Sequence, residues 1–280
     1  ATAGRQLSCH TRYIRRRARV SVVTVATTLA MKKPTNTAVP VLLIGATSDV
    51  GVQLAHEFAR SGHPLYLTGR RPADLEPVAS DLRLRYRTTV RIVALDVLQV
   101  DAARAVVREL RPTPHIAVCL VGLLGRQPDQ EAHPELARAV IESNFLGPAA
   151  VLEAVAEMMA AVEAPTTIVG VSSVAGDRGR ARNYYYGASK AGFTAFLSGL
   201  RQRLARSRTT VITVKPGFVA TRMTAGMDLP SALTSSDADC ARLIKRAVDR
   251  GQLVVYPWRW RMLMTVVGLI PERLFKQLRF

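Results

Sequence analysis

The chain has 280 residues, 48% hydrophobic and 21% charged, which is enough apolar material for one folded domain with a large core and excludes a disordered chain. Its three cysteines, Cys9, Cys119 and Cys240, are too few and too scattered for a disulfide framework or a zinc site, so no metal is expected and a reducing, cytoplasmic compartment is. The net charge of +18 suggests a nucleic-acid partner, but residues 1–33 carry eight basic residues and no acid, residues 241–280 nine against two, and the middle 22 against 19. With the excess at the ends and no basic stripe on the body, no nucleic-acid partner is expected.

In chain order, residues 1–36 read as a basic N-terminal extension. Arg15-Arg16-Arg17 and Arg19 ahead of the run Val20 to Ala30 imitate a signal peptide. Met31 and Lys32-Lys33-Pro34 then lead into a polar linker, so the segment is expected to be upstream or disordered sequence, with a transit or signal segment as the alternative. Residues 37–256 alternate β-rich runs with amphipathic stretches, which predicts an α/β fold with one doubly wound parallel sheet and helices on both faces. Strands are expected at 41–44, 64–68, 90–95, 116–121, 167–171 and 210–214, and helices at 50–60, 73–87, 135–161 and 184–205. Such a sheet binds ligands at the carboxyl ends of its strands.

Directly after the first strand stands Gly45-Ala46-Thr47-Ser48-Asp49-Val50-Gly51, entering a helix where a dinucleotide pyrophosphate would sit. Gly45 allows the tight turn and Gly51 the close helix–strand packing; a purely steric turn is the alternative. The second strand ends at Thr68-Gly69-Arg70-Arg71. Two guanidinium groups there match a ribose 2′-phosphate, so NADP(H) is favoured over NAD(H), against the alternative of a solvated pair. Asp96, followed by Val97, closes the third strand, where it would accept from an adenine amino group or cap a helix.

Tyr186 and Lys190 lie four residues apart, on one face of the predicted helix. A cation near a phenol brings its working pKa from near 10 toward 7, which suits Tyr186 to give a proton to a carbonyl oxygen as hydride arrives at carbon. Thirteen residues earlier, Ser173 ends a strand with its hydroxyl placed to hold that oxygen; Ser172 is the neighbour that imitates it. Asn144, in the preceding helix, would hold a water in a proton relay to Lys190, or is simply a kink or surface residue.

At these residues the chain resembles the short-chain dehydrogenase/reductase family over roughly residues 39–256. The motif from Gly45 to Gly51, Asn144, Ser173, Tyr186, Lys190 and Pro216-Gly217-Phe218-Val219-Ala220-Thr221 fall in the family's order and spacing. The resemblance implies a Rossmann sheet, a nicotinamide cofactor and a catalytic set of Asn144, Ser173, Tyr186 and Lys190. Lys190 would also bond the nicotinamide ribose and Thr221 the carboxamide, with Thr47, Ser48, Val50, Val97, Gly122, Pro216, Gly217 and Val219 lining the cofactor. Two departures stand out. Asp49 replaces the middle glycine, which would weaken cofactor binding or cap the helix. Cys119-Leu120-Val121-Gly122 replaces the family's Asn-Asn-Ala-Gly, so packing there must differ.

A closer resemblance covers Val171 to Arg180, Asn183, Lys215 to Phe218 and Ile270 to Lys276. It is to the bacterial branch that includes decaprenylphosphoryl-2-keto-erythro-pentose reductase, and it implies a keto-sugar substrate on a polyprenyl phosphate. Arg178, Arg180 and Arg182 would then meet a phosphate, or form a solvated charge run. Residues 224–236 are expected to be a substrate lid. Residues 257–280, with Trp258, Trp260, Met262, Leu263 and Val266 among arginines, predict a basic amphipathic helix that lies on a membrane surface or docks on the body or on a second subunit. The expectation is an NADPH-dependent carbonyl reductase, homo-oligomeric, cytoplasmic or peripheral at the inner face of the membrane. The alternative is a cofactor-binding regulatory or partner subunit with little activity.

Overall fold

The computed structural model describes residues 38–278; the expectations for the N-terminal extension and Cys9 lie outside them. Seven strands form one parallel sheet: β1 (Val41–Ile44), β2 (Leu65–Gly69), β3 (Val90–Ala94), β4 (Ile116–Cys119), β5 (Thr166–Val171), β6 (Thr209–Val214) and, past a short parallel pair β7 (Phe218–Ala220) and β8 (Thr234–Ser236), β9 (Val254–Val255). The spatial order is β3-β2-β1-β4-β5-β6-β9. The order reverses between β1 and β4, which leaves a crevice at the carboxyl ends of these two strands.

β1, in the middle of the sheet, shows why its strand is apolar throughout. Val41 and Leu43 point to one face and Leu42 and Ile44 to the other, and all four are fully buried, as expected of a sheet covered on both sides. The first face is covered by α1 (Asp49–Arg60), α2 (Glu76–Tyr86) and α8 (Asp237–Arg250), through Phe58, Leu82 and Ile244. The second is covered by α3 (Val100–Glu109), α6 (Gly147–Ala160) and α7 (Tyr184–Arg203), through Val107, Leu152, Phe193 and Leu197.

The long helix expected at 135–161 is three joined pieces: α5 (Pro134–Ile141, after the short α4, Gln127–Ala132), a π-helical turn at Glu142–Leu146, and α6. The bulge coincides with a close approach: a side chain at Gly147 would stand 2.5 Å from the carbonyl oxygen of Val97. The run Pro134–Ala160 is long and apolar enough to cross a membrane, but much of it is core, with Val151, Leu152, Ala154 and Val155 fully buried against the sheet. α3 and α8 were not anticipated. Within α8, Ser236 caps the first turn and Gly251, at φ +60°, ends the last, both ordinary helix signals.

The C-terminal segment folds as α9 (Trp258–Leu269) and α10 (Glu272–Phe275). Trp260, Met264, Val267 and Phe275 pack with Val174 into a third apolar cluster, so one face of α9 docks on the body. Trp258, Met262, Val266 and Leu269 on the other side stay exposed.

Candidate active site

The loop after β1 is built for close approach. Gly45 has φ +85°, and a Cβ there would lie 3.0 Å from Val121 Cγ2 and 3.2 Å from its amide nitrogen. Ser48 caps α1: its Oγ accepts from Gly51 N–H at 3.1 Å and donates to the Gly45 carbonyl at 3.0 Å. A side chain on Gly51 would meet Ser48 Oγ at 2.8 Å. The backbone can therefore come near a ligand at the α1 N-terminus, where the helix dipole favours an anion.

Asp49 is held from far along the chain. Its carboxylate accepts from Arg222 N–H at 2.7 Å and from Arg222 Nε at 2.6 Å, while Arg222 Nη2 donates to the Thr47 carbonyl at 2.6 Å. Capping is already done by Ser48, so Asp49 neither caps α1 nor stands as a bare charge; Arg222 neutralises it and ties the segment after β7 to the glycine loop. Sequence reasoning missed Arg222 because its partner lies 173 residues away.

At the end of β2 the two arginines separate. Arg71 pairs with Asp74 at 2.8 Å, whereas Arg70 is exposed and makes no ion pair or side-chain hydrogen bond among the described residues. Asp96 accepts from Leu98 N–H at 3.0 Å, so its carboxylate braces the turn into α3, and Val97 is buried behind it.

Ser172 and Ser173 part company at the end of β5. Ser172 Oγ donates to the Lys190 carbonyl at 2.9 Å and lies 2.7 Å from Thr194 Oγ1, fastening α7. Ser173 Oγ accepts from Ala175 N–H at 3.1 Å, and its hydroxyl opposes the burial-driven rise of the Tyr186 pKa. Gly176 and Gly187 let the loop and helix touch: a Cβ on either would fall within 3 Å of the opposite backbone.

Lys190 is buried and donates to the carbonyls of Val121 at 3.3 Å and Val171 at 3.1 Å. Its nitrogen is 5.9 Å from the centre of the Tyr186 ring. Burial pushes the Lys190 ammonium down to about 8, because an enclosed charge loses its hydration. Tyr186 departs from the expectation. Burial raises its pKa above the ordinary tyrosine value, and the groups opposing that rise are Ser173, by hydrogen bonding, and the positive charge of Arg180. Lys190 meets backbone carbonyls rather than the phenol, so the expected drop toward neutrality does not occur and Tyr186 keeps its proton at neutral pH.

Asn144 lies in the π-helical turn and is fully buried. It accepts from Leu123 N–H at 2.7 Å and donates to the Leu123 carbonyl at 2.8 Å and to Ser189 Oγ at 3.0 Å. Both amide protons are used, so Asn144 braces the loop after β4 rather than holding a relay water with its N–H groups, and the reading of it as a surface residue fails. This brace stands where the divergent Cys119–Gly122 run needed one. A side chain on Gly122 would lie 3.5 Å from both Asn144 Oδ1 and Lys190 Nζ and 3.6 Å from Met223 Cε; the glycine keeps this space open.

Beyond β6, Pro216 accepts from Val174 N–H at 3.0 Å. Gly217 is overlain by the Trp260 indole, whose Nε1 would stand 1.8 Å from an added Cβ. Val219 accepts from Thr224 Oγ1 at 2.7 Å, and Thr221 N–H donates to the same hydroxyl at 3.1 Å, which fixes the turn that leads into residues 224–236. Burial pushes the Cys119 thiol up to about 11 and the Cys240 thiol to about 12, so neither is a nucleophile at neutral pH.

Comparison with known proteins decides the family. Residues 40–230 match the model of the short chain dehydrogenases. The chain belongs to that family. An uncharacterised oxidoreductase of Myxococcus xanthus is 32% identical over 239 residues, covering 84% of this chain and 93% of that one. Sulfoacetaldehyde reductase 2 of Chromohalobacter salexigens is 36% identical over 188 residues, 66% of this chain and 74% of the relative. A short-chain dehydrogenase from Sphingobium yanoikuyae, solved in complex with NADPH, superposes with a TM-score of 0.71 at 26% identity, covering 83% of this chain and 97% of that one. This dehydrogenase is accordingly an NAD(P)-dependent oxidoreductase acting on a small molecule.

Proposed function

We propose that the enzyme uses NADPH to reduce the keto group of a sugar to a secondary alcohol, and that the sugar is carried on a polyprenyl phosphate at the inner face of a membrane. The observation that carries the chemistry is the grouping of the buried Ser173 at the end of β5 with Tyr186 and Lys190 one turn apart on α7, Lys190 Nζ 5.9 Å from the Tyr186 ring centre and Gly122 keeping space open beside it. The bound cofactor would supply hydride to the carbonyl carbon. Ser173 holds the carbonyl oxygen, and Tyr186, kept protonated by burial, gives it a proton; that protonation state suits reduction. Lys190 stays positively charged at neutral pH and would bond the nicotinamide ribose, with Thr221 at the carboxamide. The loop from Gly45 to Gly51 would take the pyrophosphate and Arg70, the unpaired arginine after β2, the 2′-phosphate, which favours NADP(H) over NAD(H). The solved relative bound to NADPH supports that preference.

The membrane half of the reading rests on α9. Trp258, Met262, Val266 and Leu269 present an apolar face, with the exposed Arg259, Arg261, Arg273 and Lys276 around it and Glu272 the only acid, as suits an interface with anionic headgroups.

The test is titration of wild type and Tyr186→Phe with NADPH and NADH, followed by turnover of keto-sugars, free and prenyl-phosphate-linked, with and without anionic vesicles. Tight NADPH binding by both proteins, turnover by wild type alone, and a preference for the vesicle-bound substrate are expected. Failure of both nucleotides to bind would overturn the reading, and binding without turnover would leave a regulatory subunit in its place.

A further inference from the structure

Three arginines, Arg178, Arg180 and Arg182, stand in the loop between Ser173 and Tyr186, and the structure uses them differently. Arg178 is fully engaged: Nη1 donates to the carbonyls of Val267 at 2.5 Å and Ile270 at 2.7 Å, Nη2 pairs with Glu272 at 2.8 Å, and the guanidinium lies 3.7 Å from the centre of the Phe275 ring. It closes the C-terminal end of α9 and fastens that helix to the loop. Arg182 is exposed.

Arg180 is neither engaged nor free in solvent. Its Nε is shut off from water and has no hydrogen-bond partner, and no carboxylate lies within ion-pair distance among the described residues. Asp177, three residues before it, gives one carboxylate oxygen to Lys215, and its Oδ2 is also buried without a partner. Tyr256 covers Lys215, whose nitrogen is 5.3 Å from the ring centre. A guanidinium half-enclosed with an idle N–H is costly, and such groups are normally satisfied by a carboxylate, a phosphate or water. The place of this one matters: the loop that carries it joins Ser173 at the end of β5 to Tyr186 at the start of α7, where the proposed reaction takes place, and its positive charge opposes the burial-driven rise of the Tyr186 pKa.

We propose that Arg180 binds an oxyanion of the substrate, a phosphoryl group attached near the carbonyl that Ser173 and Tyr186 address, with the Asp177–Lys215 pair holding the loop in place. The proposal rests on the carbonyl-reductase reading of that site. A planar guanidinium edge with a free N–H suits a phosphoryl oxygen, and the ligand would satisfy the donor that the fold leaves idle. The same phosphoryl chemistry is found in a free sugar phosphate and in a sugar joined to a prenyl phosphate.

The experiment compares wild type, Arg180→Gln and Arg180→Lys with saturating NADPH on three substrates: a neutral keto-sugar, the same sugar as its free phosphate, and the sugar linked through phosphate to a short prenyl chain. Losing one charged hydrogen bond predicts that Arg180→Gln lowers kcat/KM on the phosphorylated substrates about ten- to hundredfold more than on the neutral one. Arg180→Lys should recover part of that difference. Loss in one phosphorylated arm only would name the source of the anion. Equal loss on all three substrates would overturn the proposal and leave Arg180 as a structural or phenol-tuning residue. A separate binding readout, the melting shift produced by inorganic phosphate at saturating NADPH, should be present in wild type and absent in Arg180→Gln. If no ketone is reduced but that shift depends on Arg180, the anion site stands and the reductase reading fails; if neutral ketones are reduced and phosphate gives no Arg180-dependent shift, the reverse holds.

Discussion

The nucleotide half of the crevice and the half that would receive the substrate are held together by different means. Around β1 and β2 the supporting contacts are short-range: Ser48 with Gly45 and Gly51, Arg71 with Asp74, Asp96 with Leu98. Around β5 and β6 they come from far along the chain: Arg178 reaches Val267, 89 residues away, and Lys215 reaches Asp177 across 38, while Arg222 joins the two halves by returning to Asp49 across 173. Local turn chemistry supports the first half, and long-range side-chain pairs recruit the second. A family can thus keep its cofactor loop while its substrate side is rebuilt from the segment after β6.

The largest expected effect comes from removing the fully buried amide of Asn144. Asn144→Leu removes the bonds of a fully buried amide to the Leu123 backbone and to Ser189 Oγ, which should cost about 1–3 kcal/mol, read as a lowered melting temperature. A variant as stable as wild type would show that water replaces the amide freely. Next is the buried Lys190. Its pKa of about 8 in the folded chain lies below the ordinary lysine value of 10.5, so between these values the unfolded chain binds the extra proton and stability rises with pH. The gain is on the order of 3 kcal/mol over the window, and the penalty is fully present below pH 8. Lys190→Met should flatten that rise in denaturation curves taken from pH 7 to 10; an unchanged slope would assign it to other groups.

Gly217→Ala tests the substrate half alone. The new methyl falls inside the Trp260 indole, so α9 must shift at a cost of about 1–3 kcal/mol. Tryptophan emission should move to the red and proteolysis within residues 257–278 should quicken, while NADPH binding is kept. Loss of NADPH binding instead would mean that the two halves are not separable. The smallest effect belongs to the exposed pair Asp49–Arg222, worth about 1 kcal/mol or less as an ion pair. Arg222→Ala should weaken NADPH binding several-fold by baring Asp49 to the pyrophosphate, and adding Asp49→Asn should restore most of it; no restoration would point to the segment after β7 itself.

Much of this was legible in the sequence. The span of β1 and the all-parallel sheet follow from apolar runs bounded by turn residues, and the glycine loop is visible because Gly45 and Gly51 do their work within seven residues. α3 and α8 escaped although Ser236 and Gly251 mark the ends of α8, because their buried stripes are short and made mostly of small residues, Ala103 and Val107 in one and Cys240, Ala241, Ile244 and Ala247 in the other. The roles of Asn144 and Asp49 were not legible at all, because Leu123, Ser189 and Arg222 meet them only after the chain has folded.

The sequence alone determined what depends on neighbours in the chain: the strand pattern, the turn into α1, and the four-residue spacing that sets Tyr186 and Lys190 on one face of α7. Tertiary structure decided what depends on burial and distant charge. Desolvation raises Tyr186 instead of lowering it, packing ties Ser172 to α7 and Ser173 to the turn at Ala175, and of three arginines in one loop only Arg180 is left with an enclosed, unused donor. Solvent access and long-range pairing, which set all three outcomes, are properties of the folded surface and are not written in any local pattern.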